Sequence, residues 1–175
     1  SNVTYPMISG TSVSRDFVEL PSQLYEHWLS QPEVLSKYAV HYKTGEPMPE
    51  ALLDKLLAAT NFNQGFATVE YTASALIDLE LHQLEDPAEL DVAAFEKEEL
   101  GKIGMPQAIT MRHRIPHFQH VFSGDGYAAG YYSYMWSEVM DADAFEAFEE
   151  KGNVFDPETA GKLLTYIYSA GGRQD

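Results

Sequence analysis

The chain has 175 residues, of which 45% are hydrophobic and 13% aromatic, which is enough apolar material for one domain with a sizeable core. Eleven Lys and Arg residues against 27 Asp and Glu residues give a formal net charge of -16, so long-range repulsion excludes nucleic acid and membrane surfaces as partners. The absence of cysteine excludes disulfides, thiolate metal sites and a cysteine nucleophile, and it fits the cytoplasmic location that we expect.

The first third of the chain predicts three helices, after a start that is either a short strand or a loop. Ser14 can cap the first helix, which extends to about Ser30. Pro21 either bends this helix or marks its first turn if the helix begins later. Residues 32–42 and the segment from Pro49 each begin with a proline suited to a first helical turn. The apolar stripe of the first helix comprises Phe17, Leu20, Leu24 and Trp28.

The remainder of the chain predicts further helices joined by loops. Residues 63–84 form a long helix whose apolar residues are spread widely enough to pack on more than one side. A shorter, charged helix follows and can stop at Gly104. We expect the next helix to begin at Tyr127 and two more to begin at aspartate caps, Asp141 and Asp156. Because strand signals are almost absent, the predicted fold class is all-α.

The segment HVFSGDGYAAGYYSY, residues 120–134, combines a histidine with three glycines and four tyrosines. Such a composition predicts a loop that bends and binds a ligand. The glycines resemble the dinucleotide-binding motif G-x-G-x-x-G only loosely, since their last gap has three residues and no strand precedes them. We therefore exclude a dinucleotide site.

Three histidines near this segment suggest a metal cluster, namely His113, His117 and His120. Pro116 breaks their helical spacing, and no carboxylate lies in step with them. Surface or core histidines are the simpler interpretation.

One face of the first predicted helix is polar and lies opposite the apolar stripe. On residue type alone it is a solvated face, comprising Arg15, Glu19, Gln23 and Glu26. The sequence SGTSVSRDFVELPSQLYEHW, however, resembles the segment that follows the zinc-binding helix in the thimet-oligopeptidase and peptidyl-dipeptidase (dipeptidyl carboxypeptidase) family of zinc peptidases. The glutamate of this motif is the third zinc ligand in that family, and the resemblance implies Glu19 as a metal ligand here.

The resemblance also implies ligands that these residues do not supply. In the family, two histidines of an H-E-x-G-H helix bind the zinc, and the glutamate of that helix activates the water. No HExxH sequence occurs in the chain, and counting back from Glu19 places such a helix just ahead of Ser1. Residues 1–175 are therefore expected to be one C-terminal catalytic-domain fragment of a larger, mostly helical zincin-type peptidase domain. We expect one zinc ion per full-length enzyme and an inactive fragment that binds zinc weakly.

The sequence HFQHVFSGDGYAAGYYSYMWSE resembles the family segment that folds over the zinc and contacts the peptide. This implies catalytic roles for His120, Tyr127 and Tyr134, with Gly126 joining them in substrate binding. A phenol stays protonated at neutral pH and can donate a hydrogen bond to the oxygen on which charge develops. If the span is helical, the two tyrosines lie on one face about 10 Å apart. The neighbouring aromatic residues are expected to fill the core: Tyr131, Tyr132 and Trp136.

The resemblance covers nearly the whole chain and implies that the full-length parent is a zinc metallopeptidase hydrolysing short peptides. Either a peptidyl-dipeptidase or an oligopeptidase fits. Its partners would be short peptide substrates and the remainder of the parent chain. The alternative is an autonomous, non-catalytic helical binding module that does not use zinc, and a zinc titration of the fragment helps to separate the two.

Overall fold

The computed structural model describes residues 1–173, and within that range the chain is all-α, as predicted. Neither a strand nor a sheet occurs in these residues beyond an isolated antiparallel bridge between Val40 and Pro47. In the same range, no helix is both long and apolar enough to cross a bilayer. Residues 1–173 form eight α-helices: α1 (Leu20–Glu26), α2 (Pro32–Tyr38), α3 (Glu50–Ala58), α4 (Gln64–His82), α5 (Val92–Lys102), α6 (Gln119–Phe122), α7 (Ser133–Glu149) and α8 (Pro157–Lys162).

The helices belong to two compact units. Unit 1 comprises Ser1–Phe62 together with the chain from Tyr134 onward, and unit 2 is the continuous segment Asn63–Ser133. The buried apolar residues of unit 1 include Leu20, Leu24, Phe145 and Phe148. The core of unit 2 comprises Ile77, Met111, Ile115, Phe118 and Val121. Unit 1 is therefore assembled from two separate stretches of sequence, whereas unit 2 is assembled from one.

Helix α1 begins later than the cap at Ser14 predicts. Residues 15–19 form successive turns, in which the amide of Phe17 donates to the carbonyl of Ser14 and the amide of Leu20 to that of Phe17. Pro21 then lies in the first turn of the helix, where its missing N–H is not needed. The second of the two interpretations of Pro21 is confirmed, and Glu19 lies immediately before the helix.

Helix α4 shows a difference in burial along its length. Its second half buries Ala73, Ser74, Ile77 and Asp78, but Phe66 in its first half is 49% exposed. The prediction of a helix packed on several sides is correct for the second half. The shorter helix α5 ends where expected, because Gly104 adopts the left-handed backbone conformation just beyond it.

The prediction of a helix beginning at Tyr127 is wrong. Tyr127 lies in a bend, residues 128–132 form turns, Ala129 has a φ of 54°, and α7 begins only at Ser133. A residue in this left-handed conformation cannot continue a right-handed helix. The predicted spacing of two tyrosines along one helical face therefore does not occur. The predicted cap at Asp141 is also wrong, because Asp141 lies inside α7, which continues unbroken to Glu149.

The last helix begins as its sequence predicts. The Asp156 carboxylate accepts bonds from the amide and the hydroxyl of Thr159, both at 2.8 Å, and these bonds lower the pKa of Asp156. A π-helical turn, Leu163–Tyr168, continues α8. Beyond it the Gly172 amide donates to the Ile8 carbonyl at 2.9 Å, so the end of the described chain packs on its beginning.

Candidate active site

Glu19 lies at the junction between the turns of residues 15–19 and helix α1, and it is partly buried. The Ser22 hydroxyl lies 2.9 Å from the Glu19 carbonyl oxygen and 3.1 Å from its carboxylate, so the two acceptors share one donor. This local contact restrains the side chain at the start of the helix. The carboxylate is the group that the sequence implies as a metal ligand.

The segment carrying Glu19 is bonded to the helix carrying Tyr134, and both belong to unit 1. The Gln23 side-chain amide donates to the Tyr134 carbonyl at 3.0 Å. The Ser137 hydroxyl, on a fully buried side chain, donates to the Asp16 carbonyl at 2.8 Å. These two bonds flank Glu19 in the sequence. Unit 1 thus brings together the backbone of two predicted site residues that are far apart in the chain.

A polar pair between His27 and the buried Asp141 extends this connection along α7. Nε2 of His27 lies 2.7 Å from a carboxylate oxygen of Asp141, whose side chain is only 5% exposed. The His27 ring also stacks on Phe145, with ring centres 4.4 Å apart. A buried carboxylate needs such a partner because burial without one is costly. The pair fixes the segment after α1 against α7.

His120, Gly126 and Tyr127 belong to unit 2, and the structure brings the two rings together. The ring centres of His120 and Tyr127 are 4.4 Å apart, with a tilt of 36°. His120 lies in the short helix α6 and is exposed, whereas Tyr127 is partly buried against the core of unit 2. Gly126 directly precedes Tyr127 in the bend. One surface of the unit therefore presents an imidazole beside a phenol.

The three neighbouring aromatic residues do not behave alike. Tyr131 packs as expected, stacking on Tyr71 at 4.9 Å between ring centres and meeting Phe118 edge-on at 4.8 Å. Trp136 is 53% exposed and Tyr132 is 40% exposed, so the prediction that they fill the core is wrong. Tyr132 lies in the turn just before α7, and Trp136 lies in the first turn of that helix.

Tyr131 also has a polar partner. Nε2 of His113 lies 3.2 Å from its hydroxyl oxygen. Burial raises the pKa of the Tyr131 phenol, whereas burial and then the nearby Arg112 charge lower the pKa of His113. Both shifts favour the neutral forms, so the pair is an uncharged hydrogen-bonded unit at neutral pH.

Sequence reasoning missed Asp78, which holds residues 127–132, here called the tyrosine loop. Its side chain is fully buried, and its two carboxylate oxygens accept the amides of Ala129 at 3.1 Å and Tyr131 at 2.9 Å. The available signal was an aspartate on the buried face of a helix, in ASALIDLEL, since an aspartate is almost never fully buried without partners. That signal indicates a required partner without identifying it.

The described residues supply only part of what a metal ion needs. Among residues 1–173, no group of three or more His, Asp or Glu side chains is arranged to hold a metal ion. Glu19 suits zinc chemically, because zinc in peptidases combines neutral imidazoles with one anionic oxygen. A single carboxylate is one donor of such a set.

Comparisons with known proteins identify the family of this chain. The sequence profile described as Peptidase family M3 matches residues 1–175. The chain is 42% identical over 153 residues to the dipeptidyl carboxypeptidase of Salmonella typhimurium, covering 86% of this chain and 22% of the relative. It is 40% identical to the dipeptidyl carboxypeptidase of Escherichia coli, covering 98% of this chain and 25% of the relative. It is 44% identical to oligopeptidase A of Escherichia coli, covering 96% and 25% respectively.

The chain therefore spans about a quarter of the length of these relatives. The profile match extends over the segment of Glu19 and over the loop of the tyrosines alike. This chain belongs to peptidase family M3.

Proposed function

We propose that the full-length protein is a zinc-dependent metallopeptidase that hydrolyses short peptides. In this proposal the chain supplies one zinc ligand and the segment that carries His120, Tyr127 and Tyr134. The observation that carries the proposal is the family match over all 175 residues, together with relatives named as dipeptidyl carboxypeptidase and oligopeptidase A. The names of these relatives are the reason for proposing peptide substrates.

Glu19 is the proposed metal ligand. Its carboxylate provides the anionic oxygen, and the Ser22 contact restrains it at the head of α1. When bound, zinc polarises the scissile carbonyl and lowers the pKa of a bound water. The two imidazole ligands and the general base are proposed to come from an H-E-x-G-H helix outside residues 1–175, which then form the C-terminal part of the catalytic domain.

The proposed roles of His120, Tyr127 and Tyr134 follow from the chemistry of peptide hydrolysis. Negative charge grows on the carbonyl oxygen of the peptide during attack, and a phenol can donate a hydrogen bond to it. Tyr127 and Tyr134 are the proposed donors. His120, whose ring lies against Tyr127, contacts the substrate, and Gly126 lets the peptide backbone approach closely. We also propose a cytoplasmic location, as for a protein that processes peptides in a reducing compartment.

The decisive experiment compares two glutamates of unit 1 in the full-length protein. Glu19→Gln removes the charge of the proposed ligand, whereas Glu26→Gln makes the same change at an exposed position at the end of α1. We expect Glu19→Gln to lose both zinc, measured by elemental analysis, and peptide hydrolysis, and Glu26→Gln to keep both. Full zinc content and activity in Glu19→Gln would refute the role of Glu19.

A second experiment separates this proposal from an autonomous binding module. Zinc is titrated into the 175-residue chain, and hydrolysis of short peptides is assayed in parallel. We expect neither tight zinc binding nor activity, because a single carboxylate cannot make a zinc site. Nanomolar zinc binding by this chain would contradict the proposal that the other ligands lie outside it.

A further inference from the structure

We propose that Asp78 is a positioning residue for the peptidase reaction, because it holds the loop that presents Tyr127. This inference rests on the function proposed above. Asp78 lies in the buried half of α4, whereas the loop that it holds lies some fifty residues further along the chain. It has no place in the family motifs discussed above.

The contacts of Asp78 are those of a structural clamp. Its Oδ1 accepts the amide of Ala129, and its Oδ2 accepts the amide of Tyr131. Nδ1 of His82, one helical turn further along α4, lies 2.9 Å from Oδ1. Both oxygens of a fully buried carboxylate are thus used, and bonds to a charged acceptor are the stronger class of hydrogen bond.

The loop needs such a clamp because its conformation is unfavourable by itself. Ala129 has a φ of 54°, a left-handed conformation that costs a non-glycine residue about 1 kcal/mol or more. Two carbonyls of the same loop also have side-chain donors. The Ser133 hydroxyl donates to the Gly130 carbonyl at 2.6 Å, and the Tyr71 hydroxyl donates to the Tyr131 carbonyl at 2.7 Å. The loop is therefore fixed by the surrounding side chains.

Tyr127 is connected directly to the part that Asp78 holds. The Gly130 amide donates to the Tyr127 carbonyl at 2.8 Å. A side-chain carbon at Gly130 would lie only 3.3 Å from the Tyr127 backbone, which shows how closely the turn is folded. If residues 129–131 move, the Tyr127 backbone moves with them, and the contact of its ring with His120 changes. An error of about 1 Å in a catalytic group can lower a rate on the order of 10²-fold.

The test uses the full-length protein with Asp78→Asn. This variant keeps one carbonyl oxygen but places an NH₂ group where an oxygen now accepts an amide. We expect kcat to fall about 10- to 100-fold with KM changed by less than about threefold and zinc content unchanged. Hydrogen exchange, followed on the peptide that contains Ala129 and Tyr131, should become faster.

Glu96→Gln provides the matched control, since Glu96 is a second buried carboxylate of unit 2. It accepts the Ile115 amide at 3.0 Å and pairs with Arg114 at 2.9 Å, and neither partner lies within residues 127–132. We expect this control to retain kcat within about twofold per folded molecule, with exchange at residues 129–131 unchanged. An equal loss of kcat in both variants would overturn the proposal, as would unchanged exchange in Asp78→Asn.

Tyr71→Phe keeps the proposal testable if Asp78→Asn does not fold. It removes the donor to the Tyr131 carbonyl while keeping the stacked ring, so kcat should fall by a smaller factor with the same increase in exchange. Wild-type kcat in Tyr71→Phe despite faster exchange would overturn the link between loop position and rate. A wild-type protein without peptidase activity would instead refute the proposed function, and the exchange measurements would still decide whether Asp78 holds the loop.

Discussion

Unit 1 carries Glu19 and Tyr134 on stretches of sequence far apart in the chain, whereas unit 2 carries His120 and Tyr127 on one short segment. In unit 1, side chains of one stretch bond to the backbone of the other, as Gln23 does to Tyr134 and Ser137 to Asp16. In unit 2, one buried carboxylate, that of Asp78, accepts the amides of Ala129 and Tyr131 in one loop. Several bonds thus join two stretches of sequence in unit 1, whereas in unit 2 one carboxylate of α4 holds the loop that follows Tyr127.

Because of this difference, we expect a single substitution to have different consequences in the two units. In unit 1, loss of one cross-link leaves the others in place, because several bonds connect the two stretches. In unit 2, loss of the Asp78 carboxylate releases the amides of Ala129 and Tyr131 together, and Ala129 is the residue with the strained backbone. Variants of the full-length protein test this difference between the two units.

The largest effect is expected from the phenols themselves. Tyr134→Phe in unit 1 and Tyr127→Phe in unit 2 each remove one proposed donor to the developing oxyanion, and kcat should fall about 10²- to 10³-fold with zinc retained. Tyr132→Phe, at an exposed neighbouring position, is the control and should keep kcat. Steady-state kinetics with a short peptide measure all three. Unchanged turnover in Tyr134→Phe would remove that residue from the site.

The next effect concerns the cross-links of unit 1. Asp141→Ala leaves His27 without its carboxylate, and the free energy of unfolding should fall by about 1 to 3 kcal/mol. Asp143→Ala, two residues further along α7 at an exposed position, should change it by less than about 0.5 kcal/mol. Chemical denaturation gives these values. Equal stabilities of the two variants would show that the His27 pair does not hold unit 1.

A smaller effect is expected where the ends of unit 1 meet. Gly171 has a φ of 61°, and a side-chain carbon there would collide with the Ile8 carbonyl oxygen. Gly171→Ala should therefore cost at least about 1 kcal/mol of unfolding free energy. Gly161→Ala, in the open surroundings of α8, should instead stabilise by up to about 1 kcal/mol. Thermal unfolding of both variants should show shifts of opposite sign.

The smallest effect is a dependence of unit 2 on pH. Burial, followed by the charge of Arg112, lowers the pKa of His113 from its ordinary 6.5, although Glu70 opposes this and His120 adds to it. The unfolded chain then binds the proton at higher pH than the folded chain. The contribution of His113 to stability is present above about pH 6.5 and is lost as the pH falls through the lowered pKa. His113→Asn should flatten this slope, and an unchanged slope would contradict the prediction.

The sequence allowed much of this to be predicted where the determinants are local. Pro21, Gly104 and the Asp156 cap mark helix ends correctly because each acts on its own turn of backbone. The predicted start of α7 was wrong, since the Tyr131 amide, which a helix from Tyr127 would bond to the Tyr127 carbonyl, bonds to Asp78 instead. A contact between residues 51 positions apart leaves no local pattern to detect.

The predictability of the site residues also depends on whether the determinant is local in the sequence. Glu19, Tyr127 and Tyr134 stand in contiguous motifs, so resemblance alone suggests them, and their catalytic roles stay predictions. The His27 and Asp141 pair joins residues 114 positions apart and could not be inferred from either segment. Tyr132 and Trp136 were expected to be buried because the sequence does not reveal on which side of a late-starting helix they lie.

The split of unit 1 into two stretches has a consequence for how the protein is made on the ribosome. The residues that form the core of unit 2 emerge as one run, so that core can close while synthesis continues. Trp28 meets the rings of Phe145 and Phe148 edge-on, so this part of the core of unit 1 must wait for both to be translated. We therefore expect nascent chains halted once residue 133 has emerged from the ribosome to protect unit 2 from protease while leaving the Glu19 segment cleavable.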